Sequence, residues 1–476
     1  VERVTGNRTR LNWGKSARIQ RSAIYPGFPI NPKILATRPA AIYELVSRMK
    51  PIPMAPVLFK LNRERLAKRL LPHSLAVLNA NDILPTNADG SMGFLQSADL
   101  YYLCGVNQEE TILLLAPDAF DPNQREILFV RQPNELLATW EGHKLTQEQA
   151  TKISGIQNVK WLSDFPVIFR QLMCERENVY LNSNEHQRAD VTVETREARF
   201  VRDCQKHFPL HRYHRLARLM HELRCVKSPH EIDAIIAACD LTAKGFKRVC
   251  RFVKPGVNEA EVEAEFAHEF IRHKGHFAYG PIIAGGANNN ILHYNQNDQP
   301  CRKGDLLLLD VAAGLGNYMS DMTRTIPISG RFTRRQKQVY NAVLRVFRAQ
   351  LAALVPGKTT KDLRTECEER VARECVALGL LKMSDIKKQK PDEPAVKKYF
   401  MHGVSHPLGL DVHDATYNHY KIAPGWVLTV EPGIYIPQEG FGVRLENTVL
   451  VTEKGQLDLM AHIPIEADEI EALMNR

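Results

Sequence analysis

At 476 residues the chain is too long for one ordinary domain, and its 44% hydrophobic and 25% charged residues are the balance of a soluble globular protein. No apolar run approaches the roughly 18 residues that cross a bilayer, and the net charge of +9 includes no dense Lys/Arg block interleaved with aromatics. A solvated basic surface is therefore expected, with no membrane and no nucleic-acid partner.

The first 24 residues hold one acid, Glu2, against six Lys/Arg and no apolar core, which excludes a secretory signal. Residues 1–40 read as an irregular lead-in, and organellar import through this basic start stays open. From about 41 to 224 strand-like runs alternate with helical stretches, the pattern of an α/β domain. The expected strands are Val57–Lys60, Ser74–Leu78, Leu100–Leu103, Thr111–Leu115, Ile127–Val130 and Val179–Leu181, and Asn134–Trp140 is helix-compatible. A boundary is expected near Leu223–Ser228. Residues 225–476 then read as an α+β domain. Helices are expected over Pro229–Cys250, over Glu259–His273 with Asn258 as N-cap, over Arg334–Leu354, Thr360–Leu380 and Glu466–Met474. Strands are expected at Leu306–Val311, Tyr318–Ile326, Val427–Glu431 and Gly442–Val451. Nine cysteines, an odd number without a Cys-x-x-Cys pair, argue for reduced thiols in a cytoplasmic compartment.

Chemistry concentrates in the second half. The oily strand Leu306–Leu309 ends on Asp310, and a Gly/Asn turn leads to Asp321. A hairpin centred between Leu315 and Gly316 would set these acids directly opposite one another, with Cβ atoms about 4.5–5.5 Å apart. Carboxylates that close share a proton or hold a cation, whereas a slipped register would leave both as solvated flanks of a turn. A second apolar strand ends on Glu431. In the alternating run after it, Arg444 and Glu446 share a face that is either a wet surface or part of the same polar site. Between the acid pairs His402, His406 and His413 fall within twelve residues, and His293 follows a Gly/Asn-rich loop. Two Asp, two Glu and one or more His can hold two divalent cations. An oxygen-rich set without thiolates favours manganese, with zinc or cobalt as substitutes.

The order Asp310, Asp321, His406, Glu431, Glu446 resembles the five-ligand set of the pita-bread metallopeptidases. Tyr318-x-Ser320-Asp321-x-Thr323-Arg324-Thr325, His402-Gly403-x-Ser405-His406, Asp411-Val412-His413-Asp414, Thr429-Val430-Glu431-Pro432-Gly433-x-Tyr435 and Gly442-x-Arg444-x-Glu446 look like its proline-specific branch, and the likeness runs over residues 41–476. The resemblance implies a creatinase-like N-terminal domain and a pita-bread catalytic domain. It implies that Asp310, Asp321, His406, Glu431 and Glu446 bind two metal ions, with Asp321 and Glu446 bridging. His293, His402, His413 and Arg444 would line the substrate site, and the three histidines would take part in catalysis with Glu431. The implied activity is that of aminopeptidase P, removal of the residue before a penultimate proline, with a metal-bridging hydroxide as nucleophile and Glu431 as proton shuttle. Family members are commonly dimers or tetramers, so a homo-oligomer is implied, and the pair Tyr101-Tyr102 either packs inside the domain or offers a strand edge that reaches a neighbour. Ala312 and Pro407 depart from the usual family residues without removing a ligand. Two rivals stay open: a prolidase acting on Xaa-Pro dipeptides, from which Ser405 argues away, and a non-catalytic pita-bread module that holds a peptide.

Overall fold

The first expected strand, Val57–Lys60, is helical in the computed structural model, which describes residues 54–183, 185–186, 192–390 and 393–475. Pro56 stands in the first turn of helix Pro56–Ala67, where its missing N–H costs nothing. Leu58, Phe59, Asn62, Arg63 and Leu66 form the buried face, a helical spacing that the apolar start conceals. Leu100–Leu103 is also helical, within Ala98–Cys104. Every residue from Asp99 to Cys104 is buried, so no polar face marks the helical period, and Gly105 at φ +68° ends it as a left-handed cap. Tyr101 and Tyr102 are therefore not a strand edge. Both are buried, and their hydroxyls donate to carbonyls of this same chain, those of Gly316 and Leu223.

The other four expected strands form and join two more in one sheet. β1 (Ser74–Asn79), β2 (Ile112–Leu115), β3 (Glu126–Val130), β4 (Asn158–Trp161), β5 (Asn178–Leu181) and β6 (Arg212–Arg215) take the order β4-β3-β2-β1-β5-β6. Ala76 and Leu78 enter one core while Leu75 and Val77 enter another, so helices cover both faces. β6 reads Arg-Tyr-His-Arg and lies at the edge, so it carries no apolar signal. The helix after β3 runs Glu135–Glu141, with Asn134 as its N-cap.

In the second half the cap chemistry matches the sequence closely. Ser228 and Glu231 form a capping box ahead of helix Pro229–Phe252, and Asn258 and Glu261 do the same for Glu259–Arg272. Further helices span Arg334–Ala353, Thr360–Ala377 and Ala467–Met474. The strands are β7 (His276–Phe277), β8 (Ile282–Gly285), β9 (Leu306–Asp310), β10 (Ala313–Leu315), β11 (Tyr318–Met319), β12 (Thr323–Pro327), β13 (Val427–Val430), β14 (Gly433–Ile436), β15 (Phe441–Arg444), β16 (Asn447–Thr452) and β17 (Gly455–Asp458). β9 lies between β8 and β12, which buries the Leu306–Leu309 run. Both expected long strands are broken. Residues 320–322 interrupt the expected Tyr318–Ile326, and Leu445-Glu446 divide β15 from β16 within the expected Gly442–Val451.

The hairpin register differs from the expected one. Gly316 (φ +57°) and Asn317 (φ +67°) are the two turn residues, the left-handed pair of a tight hairpin, so the centre moves one residue along. Leu315 then faces Tyr318 and Asp310 faces Thr323, not Asp321. Asp321 becomes the diagonal neighbour of Asp310 on the same face, still within reach.

All nine cysteines are free thiols, and only Cys174 is exposed. Among the described residues no helix is long and apolar enough to cross a membrane. Residues 1–40 lie outside those described.

Candidate metal centre

Four strand ends bring the acids together. Asp310 closes β9, and Asp321 stands in the break before β12. Backbone pairing between Thr323 and Glu446 lays the second strand break against the first, and Thr323 Oγ1 donates to Glu446 Oε2 at 2.7 Å. The histidine segment runs along β13. Thr429 N donates to the His406 carbonyl and Glu431 N to that of Val404, which sets the His406 ring beside Glu431. Asp310, Asp321, His406, Glu431, Glu446, His293, His402, His413 and Arg444 all line one cavity of about 600 Å³. Arg444 and Glu446 are buried, so the wet-face reading of their strand fails.

His406 is oriented by its neighbours. Its Nδ1 lies 3.0 Å from the Pro407 carbonyl and so carries the proton donated there, which turns Nε2 toward Asp321 Oδ2 at 3.4 Å and Glu431 Oε1 at 3.7 Å. Asp321, His406 and Glu446 each offer a ligand atom within 4.8 Å of the other two. Tyr279, which nothing in the sequence singles out, places its hydroxyl 2.6 Å from Asp310 Oδ1 and 2.7 Å from Asp321 Oδ1. Arg444 Nη2 donates to Asp310 Oδ2 at 2.6 Å.

A directed chain of hydrogen bonds fixes His402. Arg444 Nη1 donates to the Tyr435 hydroxyl, that hydroxyl donates to His402 Nε2 at 2.8 Å, and His402 Nδ1 donates to the Gly403 carbonyl at 2.6 Å. Burial, with the Arg444 charge beside it, pushes His402 down to about 3, so this ring is neutral. His413 differs. It is exposed, faces the cavity, and sets its ring edge-on to that of His406 at 4.2 Å. His293 is also exposed on the cavity wall.

The electrostatics call for cations. Four carboxylates converge in a buried place that holds one guanidinium. Burial pushes Glu431 up to about 7 and Asp321 repels its charge further, while His406 opposes the shift. Burial raises Glu446 well above the ordinary range, with Asp321, Glu431 and Asp310 adding to it, and burial also raises Asp310. At His406 burial disfavours the charged form, but the Asp321 hydrogen bond and the Glu431 charge outweigh it and the pKa rises. Such a set of oxygens and one imidazole fits hard or borderline divalent cations, which would relieve the repulsion that burial creates.

Comparison with known proteins agrees with this geometry. The signature of metallopeptidase family M24 matches residues 233–453, and that of the aminopeptidase P N-terminal domain matches residues 59–180. The chain is 32% identical to a Xaa-Pro aminopeptidase of Haemophilus influenzae, over 88% of this chain and 97% of the relative. A solved structure described as a putative aminopeptidase P from Bacillus anthracis superposes with a TM-score of 0.82 at 31% identity, covering 89% of this chain and 99% of that one. Zinc-substituted Escherichia coli aminopeptidase P in complex with product superposes at 0.79 with 32% identity, over 88% and 98% of the two chains.

Proposed function

The chain belongs to the aminopeptidase P branch of metallopeptidase family M24, and from that premise we propose that it is a metallo-aminopeptidase that removes an N-terminal residue preceding proline. The observation that carries the proposal is the convergence of four carboxylates, Asp321 and Glu446 buried and Asp310 and Glu431 largely so, on one oriented imidazole inside a peptide-sized cavity. Asp310, Asp321, His406, Glu431 and Glu446 would hold two divalent cations in this reading, with manganese as the native metal. When bound, such ions supply Lewis acidity and make water a nucleophile near neutral pH.

The chain's own groups do the rest. Glu431 takes the proton of the attacking water and delivers it to the proline nitrogen, which must be protonated to leave. His413 donates a hydrogen bond to the scissile carbonyl oxygen as negative charge develops there. His402 has both nitrogens engaged, so it offers the cavity a neutral ring edge. With His293 it lines the cavity that receives the substrate. Arg444 holds Asp310 in place and orients Tyr435. A boundary between an N-terminal domain over 41–224 and a catalytic domain over 225–476 fits the change of sheet.

Hydrolysis of Xaa-Pro-Xaa tripeptides tests the activity. Cleavage confined to Xaa-Pro dipeptides would make the protein a prolidase, and tight peptide binding without cleavage would make it a binding module. Metal removal is expected to abolish hydrolysis and lower the melting temperature, and manganese is expected to restore both. A ligand at 100 times its Kd stabilises the fold by about 2.7 kcal/mol. Full activity in protein shown metal-free by elemental analysis would end the two-cation reading.

A homo-oligomer, dimer or tetramer, is the expected assembly. The buried Tyr101 and Tyr102 do not support it. The helix Glu135–Glu141 does, because none of its residues is buried and Leu136 and Trp140, four residues apart, are 69% and 80% exposed. Light scattering at assay concentration checks this, and a sharp monomer mass would reject it.

A further inference from the structure

His413 is held from outside the site that it serves. It lies in the short run Asp411-Val412-His413-Asp414, and Val412 and His413 both face the cavity. The acids on either side turn the other way, onto one guanidinium. Arg224 Nη2 donates to Asp411 Oδ2 at 2.6 Å and also to Asp414 Oδ1, while Nη1 donates to Asp99 Oδ1 at 2.8 Å. Asp99 belongs to the helix Ala98–Cys104, packed with the first sheet, and its other oxygen accepts from Asn182 at 3.0 Å. Lys227 Nζ takes the remaining oxygen of Asp414 at 2.9 Å. The side chains of Arg224, Lys227 and Asp414 are 5%, 1% and 1% exposed, so the centre of this ion cluster is shielded from solvent, while Asp411 stays half-exposed at its edge.

The geometry assigns Arg224 as a positioning residue that holds His413 over the metal-ligand cluster by tying Asp411 and Asp414 to Asp99 of the N-terminal half. The assignment rests on the donor role given to His413 above. A planar guanidinium is suited to the task. It spans three carboxylates at fixed angles, which the single ammonium of lysine does not do. The loop is fitted closely to the clamp. A Cβ at Gly409 would stand 2.4 Å from Asp414 Oδ2, so a side chain there would push the clamp apart. The Asp414 amide also donates to the Pro407 carbonyl at 2.9 Å, which links the clamped turn to the His406 segment. A donor displaced by about 1 Å can lose on the order of 10²-fold in rate. The N-terminal half would thus set the turnover number without touching the reacting atoms.

The test is a double-mutant cycle on the full-length, manganese-loaded enzyme. Arg224→Lys and Asp411→Asn are each combined with His413→Ala, and kcat, KM, metal content and melting temperature are measured. Asp411 is 48% exposed at its side chain, so Asp411→Asn folds even if variants of Arg224 do not. Each clamp variant alone is expected to lower kcat about 10-fold or more, with two metals retained and KM changed much less. In the His413→Ala background the same substitutions are expected to cost almost nothing further. Losses that multiply in the double variants would overturn the positioning role while leaving the donor role intact. So would a lowered melting temperature with normal kcat per folded molecule. Wild-type kcat in His413→Ala alone would overturn the donor role and this proposal with it.

Discussion

Glu431→Gln is expected to slow Xaa-Pro hydrolysis by about 10²–10⁴-fold, the range for loss of a general acid–base group, with a melting temperature no lower than that of the parent. The carboxylate stands at the end of β13, where the Thr429 hydroxyl donates to Oε1 at 3.1 Å and His402 Nδ1 lies 3.8 Å from Oε2. Glutamine keeps the shape, and its amide oxygen can still accept from Thr429. What it loses is the ability to take a proton and give it up again. Burial has raised this acid to about 7 in the chain alone, a sign that the site disfavours its charge. Removing one of four mutually repelling carboxylates therefore relieves strain in the metal-free protein and gives the fold no reason to weaken. Metal content separates the two ways in which activity can fall. Two ions retained with a low kcat isolates the proton-shuttle role, whereas ions lost shows that ligation by Glu431 adds to the fall. A near-normal kcat with an unchanged melting curve would remove it from the mechanism.

Much of the second half was legible because its signals are local. Asn258 caps its helix through a side chain that acts within three residues, and the sequence shows that contact directly; Ser228 and Thr333 cap theirs by the same local chemistry. Asp310 and Glu431 stand at the ends of apolar strands, so their place on a buried framework could be read without coordinates, whereas Asp321 and Glu446 stand in strand breaks that the alternation concealed. The hairpin shows where this stops. Asp310 and Asp321 share a face as expected, but the pairing depended on which residues would take the turn, and Gly316-Asn317 outcompeted Leu315-Gly316 because the right-handed twist of a hairpin wants two left-handed residues. Val57–Lys60 and Leu100–Leu103 were misread for another reason. Short apolar runs carry no period, and only burial on all sides of Asp99–Cys104 shows why none appears. Tyr279 and Arg224 left no trace at all. Their importance lies in contacts 31 to 190 residues away in the chain, between groups whose types are common everywhere.

His406→Ala and His413→Ala are expected to fail in different ways, although the two rings touch. The His406 ring is buried, with its Nδ1 proton given to a backbone carbonyl and its Nε2 turned toward Asp321 and Glu431, where a cation would displace the Nε2 proton. Only one nitrogen in the cluster is presented in this way, so its removal should lose metal and activity together. His413 has the opposite setting. Its ring is exposed to the cavity and packs edge-on against His406. The carboxylate of its chain neighbour Asp414 is taken by Arg224, Lys227 and the Ala415 amide. His413→Ala should therefore leave two ions bound and the melting temperature close to that of the parent. Its kcat should fall about 10²–10³-fold, the cost of one donor to a developing oxyanion. The loss should appear in kcat more than in KM, because charge on the carbonyl oxygen grows only as the transition state is reached. Metal stoichiometry, melting temperature and kcat on the two variants decide the matter. Metal lost from His413→Ala would make it a ligand or a support for one, and wild-type turnover would leave the oxyanion to another group on the cavity wall.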